Sequence, residues 1–559
     1  MTTINNLKPS NSNSKKQWDR DQNVIYIHEF EQSKGKISQH QYAKENEISR
    51  TTLQYWLERK HSLDVAPELI NFFESPSGLA FLHRIVNAAH FAFSKKDTAS
   101  IRSICNFLKL SGLSQFVASS YGIHRKVSIS MDDLIIQFAK SEQKRLSADM
   151  PCKMIILCED ETFHPQICLV AMDAISNFIL VEQYATDRKA NTWTVCVESA
   201  LAGLPVRVIQ CTSDEASGLI NHAKVALKVH HSSDLFHVAY EIGKGTSVAL
   251  ASLIKHSEKE VQKAEEKVKQ AEEYKAIYES NKNIPVGWRP AFDKRVTEAK
   301  SEKEQAQKLL KQAQEKQEVV RTARVEIGQA YHPYDPITGI KQDANKVGEE
   351  LEKCFEKIRE ASESLSDKCK KHIDKAYRVV ANMRATIAFF FLTINSHVEN
   401  LNFPQEVKQI MLESLIPGFY LQIVARKEKD SKRKKMISKR SEELLSILYE
   451  QKGLLSDCSE AQLCFLEKSA KEYAHLFQRS SSCVEGRNAQ LSLIHHGLHR
   501  LSNRKLQALT AIHNYYIKRP DDTTAAERFF EKKPHDMFEW LLDHMELPAR
   551  PRNILKKAI

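Results

Sequence analysis

Between residues 153 and 230, short β-like runs and helical stretches follow one another in an order that few folds accommodate. Ser176 and Asn177 lie between the second and third β-like runs, where two such residues are typical of a hairpin turn. The pattern predicts helices packed on a mixed sheet, in the order β-β-β-α-β-α-β. The predicted elements are strands at 153–159, 166–173 and 177–184, a helix at 191–204, a strand at 205–211, a helix at 215–223 and a strand at 225–230.

This order is that of the RNase H-like fold, whose core is a mixed five-stranded sheet. Strand patterns then disappear from about residue 235 to 470. Glu/Lys/Gln/Ala-rich stretches at 254–280 and 291–328 flank a loop containing Pro and Gly, which predicts a long antiparallel helical hairpin of the coiled-coil type. We therefore expect an α/β RNase H-like core within a mostly α-helical multidomain chain.

The length of 559 residues allows several domains. The composition changes along the chain predict six segments. They are a disordered tail at 1–16, a helix-turn-helix DNA-binding domain at 17–62, a helical connector at 63–150, the first part of the core at 151–240, a helical insertion at 241–470 with its coiled hairpin at about 250–330, and the C-terminal helices of the core at 471–559.

Charge and cysteine usage restrict the class of protein. The net charge of +11 favours a polyanionic partner, although basic proteins without one are common. The eleven cysteines are scattered without a C-x-x-C pair, which argues for a reducing, cytoplasmic compartment and against a structural zinc site. The most apolar run, at 387–394, is far shorter than the ~20 residues of a spanning helix, so no membrane partner is expected.

The segment from Ser38 to Lys60 has the layout of a helix-turn-helix. Ser49 suits a helix N-cap, and Leu53, Trp56 and Leu57 give the following helix one buried face. The remaining positions of that helix are polar and suit the major groove. The alternative is an ordinary three-helix bundle. The candidate DNA-binding residues are Ser49, Arg50, Thr51, Thr52, Gln54 and Arg59.

Three carboxylates distant in sequence are the candidate catalytic residues. Asp160 follows the first predicted strand, Asp214 follows the fourth, and Glu485 lies near the start of a late helical pattern. Two such strands are neighbours in this fold, and carboxylate oxygens are the ligands that Mg²⁺ prefers. Phosphoryl transfer on DNA uses two such ions, about 3.5–4 Å apart. The sequence therefore predicts a site for two Mg²⁺ ions, for which Mn²⁺ can substitute.

Other acids compete for these roles. Strand alternation places Glu159 and Glu161 on the face opposite Asp160, and Glu215 is expected to open the following helix. Asp234 follows the fifth predicted strand as an outer ligand or an N-cap. His164 and His237 lie near the proposed ligands, where they would orient water or DNA. Glu467 and Glu472 compete with Glu485.

Several short motifs resemble bacterial insertion-sequence transposases of the DDE type. They are Asp160-Glu-Thr-Phe-His164, Asp234-Leu-Phe-His-Val238, Val484-Glu-Gly-Arg-Asn-Ala489, His513-Asn-Tyr515 and Asp522-Thr-Thr-Ala-Ala-Glu-Arg528. The resemblance implies that Glu485 is the third metal ligand and that Arg487 and Asn488 support it or contact DNA. It also implies an insertion domain between the second acid and the third.

The expected function is that of a DDE-type transposase, which hydrolyses phosphodiesters at transposon ends and transfers the strand to target DNA. The expected partners are double-stranded DNA and further copies of the chain, as a homodimer or higher assembly on DNA in the bacterial nucleoid. A basic cluster would contact phosphates or form an ordinary solvated face. The alternatives are a catalytically silent, transposase-derived regulator and a helical scaffold. The basic cluster consists of Lys432, Arg433, Lys434 and Lys435.

Overall fold

The sheet is mixed and five-stranded in the computed structural model. Its order is β3-β2-β1-β4-β5, with β1 antiparallel to β2 and parallel to β4, and β4 parallel to β5. This topology is consistent with the predicted RNase H-like order. The strands are β1 (Lys153–Phe163), β2 (Ile167–Asp173), β3 (Ile179–Ala185), β4 (Val206–Ser213) and β5 (His230–Ser233).

The structure describes residues 20–61, 63, 65–163, 166–281, 287, 290–450, 455–498 and 501–551. The predicted disordered tail at 1–16 and His164 lie outside these residues. The chain divides into two units. One consists of Met1–Met150 with Gln490–Ile559, and the other of Pro151–Ala489.

Helices make up most of both units. The first unit holds α1 (Arg20–Gln32), α2 (Gln39–Glu45), α3 (Arg50–His61), α4 (Pro67–Phe73), α5 (Pro76–Ala89), α6 (Ile101–Leu110), α7 (Tyr121–Ser147), α20 (Asn503–Tyr515), α21 (Ala525–Phe530) and α22 (Met537–His544). The second holds α8 (Ala190–Leu201), α9 (Ser217–Asn221), α10 (Leu235–Ser280), α11 (Phe292–Ala330), α12 (Ala344–Ala361), α13 (Asp367–Tyr377), α14 (Val380–Glu399), α15 (Gln405–Ile410), α16 (Ile416–Lys427), α17 (Ser431–Tyr449) and α18 (Glu460–Ala474). The remaining helix, α19 (Ser482–Leu498), contributes residues to both units. Short π-helical turns occur at His90–Lys95, His222–Ala226 and Met411–Leu415, and a 3-10 turn at Leu113–Gln115.

The predicted fifth strand at 225–230 is wrong. Residues His222–Ala226 form a π-helical turn that continues α9, and Val225, which suggested a strand, is 68% exposed. Lys228 then adopts a left-handed φ of 55°, after which β5 begins at His230. The true strand is polar in sequence but buried, because its side chains find hydrogen-bond partners on neighbouring elements.

Helices α10 and α11 pair as an antiparallel hairpin. Successive ion pairs between them move forward along α10 and backward along α11. These pairs are Lys303–Glu265, Lys300–Glu272 and Lys275–Asp293. The buried seam is rich in alanine, with Ala264, Ala299 and Ala313 inside, so the backbones approach closely. Helix α10 runs unbroken from Leu235 for 46 residues, about 70 Å, so it begins before the hairpin predicted at about 250–330.

The apolar segment Asp367–Glu399 is long and apolar enough to cross a membrane by length and composition alone. In the structure it is divided between α13 and α14, and Met383, Ile387 and Phe390 of α14 are buried in the main core of the second unit. A core helix of a globular unit has this same composition, so the segment is accounted for by packing.

In the first unit, α1, α2 and α3 form a small three-helix cluster. Its core contains Ile27, Tyr42, Ala43, Leu53 and Trp56. The predicted start of the third helix after Ser49 is confirmed, and so is the buried face of Leu53 and Trp56. The turn between α2 and α3 is made by Glu47, whose φ of 55° reverses the chain.

The packing of α10 on α13 predicts unequal effects of alanine at two glycines of the same helix. A Cβ at Gly245 would lie 2.8 Å from the Cys369 carbonyl oxygen, whereas one at Gly243 would meet nothing closer than 3.8 Å. Gly245→Ala should therefore destabilise the chain by about 1–3 kcal/mol. Gly243→Ala should be neutral or stabilising by up to about 1 kcal/mol. Urea midpoints of the two variants would show this, and equal midpoints would contradict the close packing.

Candidate metal centre

Asp160 and Asp214 are carried to the same edge of the sheet by two neighbouring parallel strands. Cys158 of β1 is aligned with Thr212 of β4, and each aspartate lies two residues beyond that pair. Strand alternation turns the two neighbours of Asp160 to the other face, as predicted. There Glu159 lies 3.2 Å from Nε2 of His222, and Glu161 accepts a hydrogen bond from the indole of Trp193.

The third acid, Glu485, lies in the first turn of α19. On the same helix face one turn later, the Asn488 amide Nδ2 donates to Oδ2 of Asp160 at 2.8 Å. This contact joins the helix to β1 across 328 residues of sequence, more than half of the chain. The structure therefore brings the late helix and the first strand together at the predicted point.

A buried ion pair fixes the position of α19 on the sheet. Nε and Nη2 of Arg487 donate to the two carboxylate oxygens of Glu182 on β3, both at 2.7 Å. The side chains are 4% and 0% exposed. Burial of Arg487 fits its predicted role as a support for the helix better than a contact with DNA. Such a bidentate pair fixes orientation as well as distance.

Asp234 and His237 form the other side of the centre, on the first turn of α10. Asp234 caps the helix by accepting from the amide of Phe236, and its carboxylate also accepts from the amide and hydroxyl of Ser481. His237 Nδ1 lies 2.7 Å from Asp234 Oδ2, and its Nε2 lies 3.9 Å from Oε1 of Glu485. One oxygen or nitrogen atom from each of Asp234, His237 and Glu485 therefore lies within 4.8 Å of the others.

The crowding of carboxylates perturbs their ionisation. Burial, followed by the negative charge of Glu485, raises the pKa of Asp160 to about 7. Burial also raises the pKa of Glu485, whose carboxylate shares a hydrogen bond with Asp160. Burial alone would lower the pKa of His237, but its hydrogen bond to Asp234 and the neighbouring carboxylates raise it to about 9. The imidazolium of His237 is therefore the positive charge that offsets the acids.

The donor set fits a hard divalent cation. Oδ1 of Asn488 is buried beside Asp160 without a hydrogen-bond partner among the described residues. Asp214 accepts an amide hydrogen bond from Ala216 at Oδ1, and it lines a cavity of about 30 Å³ together with Asp234 and His237. Carboxylate and amide oxygens are the ligands that Mg²⁺ prefers, and a cation would relieve the repulsion among the acids.

Of the competing acids, Glu215 lines the same cavity as Asp214, whereas the two late ones lie on another helix. Glu467 and Glu472 pair with Lys471 and Lys468 on α18, on the helix surface. Glu215 accepts a hydrogen bond from Ser233 and precedes α9, which begins at Ser217. No sequence pattern indicated Glu182 as a functional residue. The only signal for Ser481 was its place before a predicted helix.

The predicted DNA-binding residues lie on two other surfaces, one in each unit. On α3, Arg50, Thr51 and Gln54 are exposed and Thr52 is half-buried, while Ser49 precedes the helix. Arg59 instead donates to the carbonyl of Pro551. In the second unit, Lys432, Lys434 and Lys435 are exposed in the first turns of α17, and Arg433 pairs with Glu428 at 3.2 Å.

The Arg487–Glu182 ion pair predicts that substitutions at the two positions have non-additive effects on the free energy of unfolding. Glu182→Leu removes the carboxylate that the buried guanidinium contacts, and Arg487→Met removes the guanidinium, so each single variant should cost about 3–5 kcal/mol of unfolding free energy. The double variant Glu182→Leu with Arg487→Met removes both charges and should recover most of that loss. Unfolding monitored by circular dichroism checks this, and a double variant as unstable as the sum of the single ones would show that the charges do not act as a pair.

Comparison with known proteins gives one partial match. A family of unknown function, DUF6399, matches residues 411–557, less than half of the chain. The matched segment includes Glu485, Arg487 and Asn488 and the basic cluster on α17, but neither Asp160 nor Asp214. No curated protein and no solved structure gives a significant match to the chain.

Proposed function

We propose that the chain is a DDE-type DNA transposase that hydrolyses phosphodiesters at the ends of a mobile element and joins the freed 3′ end to target DNA. The observation that supports this most is the meeting of β1, β4 and α19, which carry Asp160, Asp214 and Glu485. These acids are widely separated in sequence, and a purely structural role would not need three carboxylates to crowd together at a cost in solvation.

In the proposed reaction, water attacks phosphorus, the P–O3′ bond breaks, and the products are a 3′-hydroxyl and a 5′-phosphate. The 3′-hydroxyl then attacks a phosphodiester of target DNA in the same way. Two Mg²⁺ ions, or Mn²⁺ in their place, would activate the attacking oxygen and stabilise the leaving one. Asp160, Asp214 and Glu485 would hold these ions, and Asn488 fixes the Asp160 carboxylate through its 2.8 Å hydrogen bond.

His237 and Asp234 have a supporting role in this proposal. The Asp234 carboxylate holds the His237 ring through Nδ1, so that Nε2 points toward Glu485. An imidazole fixed in this way orients the Glu485 carboxylate. It also holds a proton at Nε2, close to the oxygen atoms that lose or gain a proton in the proposed reaction. Ser481, which donates to the same aspartate, ties this arrangement to the start of α19.

Two basic surfaces would hold the DNA. The polar face of α3, with Arg50 and Gln54, suits the base edges of the terminal sequence in the major groove. The three lysines on α17 lie in its first turns, where the helix dipole is already positive. Their clustered positive charge suits a phosphate backbone. Double-stranded DNA and a second copy of the chain are the proposed partners, in the bacterial nucleoid.

The catalytic proposal predicts loss of DNA cleavage from substitutions that keep the shape of each acid. The substrate is a supercoiled plasmid that carries the gene with its native flanking DNA, in Mg²⁺ or Mn²⁺. Asp160→Asn, Asp214→Asn and Glu485→Gln should each reduce nicking at the flanks by more than about a hundredfold, because each removes a charged metal ligand. Glu198→Gln, which changes an exposed acid on α8, is the matched control and should cleave normally.

Three results would contradict this assignment. Cleavage retained by one of the three variants would remove that residue from the centre. Flank-specific binding by the wild-type chain, with no nicking in either metal, would favour the catalytically silent regulator instead. Absence of any salt-dependent DNA binding would favour the helical scaffold.

The basic cluster predicts a change in the salt dependence of binding. Replacing Lys432, Lys434 and Lys435 with Gln should weaken binding about equally for all DNA sequences and reduce the slope of log K against log salt by about 3. The control replaces Lys267, Lys300 and Lys303 with Gln, because these lysines are paired with glutamates on the hairpin. It has the same net charge and should keep the wild-type slope. Equal slopes for the two variants, measured by fluorescence anisotropy, would exclude the cluster as a phosphate contact.

A further inference from the structure

A second group of metal-ligand side chains lies on the face of the sheet opposite Asp160. It consists of Glu159 on β1, Cys211 on β4 and His222 in the π-helical turn after α9, all fully buried. Oε1 of Glu159 lies 3.2 Å from Nε2 of His222 and 3.7 Å from Sγ of Cys211. The three ligand atoms are within 4.8 Å of one another.

The hydrogen bonds around His222 determine which of its nitrogens has a free lone pair. The hydroxyl of Thr194 donates its single hydrogen to the carbonyl of Ala190 at 2.8 Å. It can therefore only accept from His222 Nδ1, which lies 2.9 Å away. In the neutral ring, Nε2 then presents a lone pair toward the carboxylate of Glu159. Metal-binding histidines characteristically donate their other N–H in this way.

Two polar atoms of this group have no hydrogen-bond partner among the described residues. They are Nε2 of His222 and Oε2 of Glu159. Burial of such atoms is costly. The other carboxylate oxygen, Oε1, lies 3.2 Å from the same ring nitrogen, a contact that forms an ion pair when the ring is protonated. A cation bound by the ring nitrogen and the carboxylate would satisfy both groups, and the neighbouring thiol would be its third ligand.

Two of the three separations between ligand atoms are close to those of tetrahedral zinc. With Zn–N and Zn–O bonds of about 2.0 Å and a Zn–S bond of about 2.3 Å, tetrahedral angles place ligand atoms roughly 3.3–3.5 Å apart. The two short separations in the group lie on either side of that range. The combination of thiolate, imidazole and carboxylate also favours zinc over Mg²⁺, which prefers oxygen ligands alone.

We propose that Cys211, His222 and Glu159 bind one Zn²⁺ ion, with release of the thiol proton to solvent. The ion joins β1, β4 and the π-helical turn behind the two strands that carry Asp160 and Asp214. Its role is structural, and it does not depend on the transposase proposal. The lack of a C-x-x-C pair in the sequence concealed this site, because its three ligands come from three separate elements.

The test is the metal content of the full-length chain, purified and passed over a desalting column in buffer with EDTA. We expect about one zinc per chain by elemental analysis. Cys211→Ser should reduce the zinc content at least about tenfold, whereas the matched control Cys168→Ser, at another buried cysteine on the sheet, should retain it. Asp160→Asn should also retain zinc, which separates this site from the carboxylate centre.

A second measurement keeps the test independent of variant folding. Wild-type chain produced with Co²⁺ in place of zinc should show a near-ultraviolet thiolate-to-cobalt charge-transfer band, and Cys211→Ser should lack it. Wild-type chain with neither zinc nor this band would overturn the proposal. Equal zinc content in Cys211→Ser and Cys168→Ser would overturn it as well.

Discussion

The ion pair between Arg487 and Glu182 is the contact on which the candidate centre depends. Glu485 reaches the sheet only because α19 is fixed against it, and this buried bidentate pair is the strongest polar link between them. A buried ion pair contributes little net stability, since desolvation offsets its attraction, but it tolerates only one geometry. Orientation of the helix, rather than stability, is what the pair provides, and Asn488 then meets Asp160 from a defined position.

Charge balance explains why His237 belongs to the same arrangement. The carboxylates of Asp160, Asp214 and Glu485 repel one another. Burial, followed by the negative charge of Glu485, raises the pKa of Asp160. Asp234 draws the imidazole into place and raises its pKa, which supplies one positive charge. One cation does not neutralise three acids and Asp234, so the centre remains suited to further positive charge. This residual charge is the physical basis for proposing a divalent metal here.

Much of this arrangement was predictable from sequence because it depends on periodicity. Alternation along β1 correctly separated Asp160 from Glu159, and the order of elements gave the neighbouring strands. The errors have physical causes. The strand β5 is made of His and Ser, whose burial depends on distant partners such as Thr386 that no local pattern reveals. Glu182 and Ser481 were missed for the same reason, because their importance arises only from contacts with residues hundreds of positions away.

The same alternation that isolates Asp160 produces the second group of ligands. A strand at the centre of a covered sheet has two buried faces, so consecutive acids on β1 cannot both be solvated. Asp160 is turned toward α19 and its amide donor, while Glu159 is turned toward His222 and Cys211. Each buried carboxylate then requires its own counter-charge. On one face His237 contributes it. On the other face the nearest described groups are the ring nitrogen of His222 and the thiol of Cys211, and a bound cation would supply the counter-charge there.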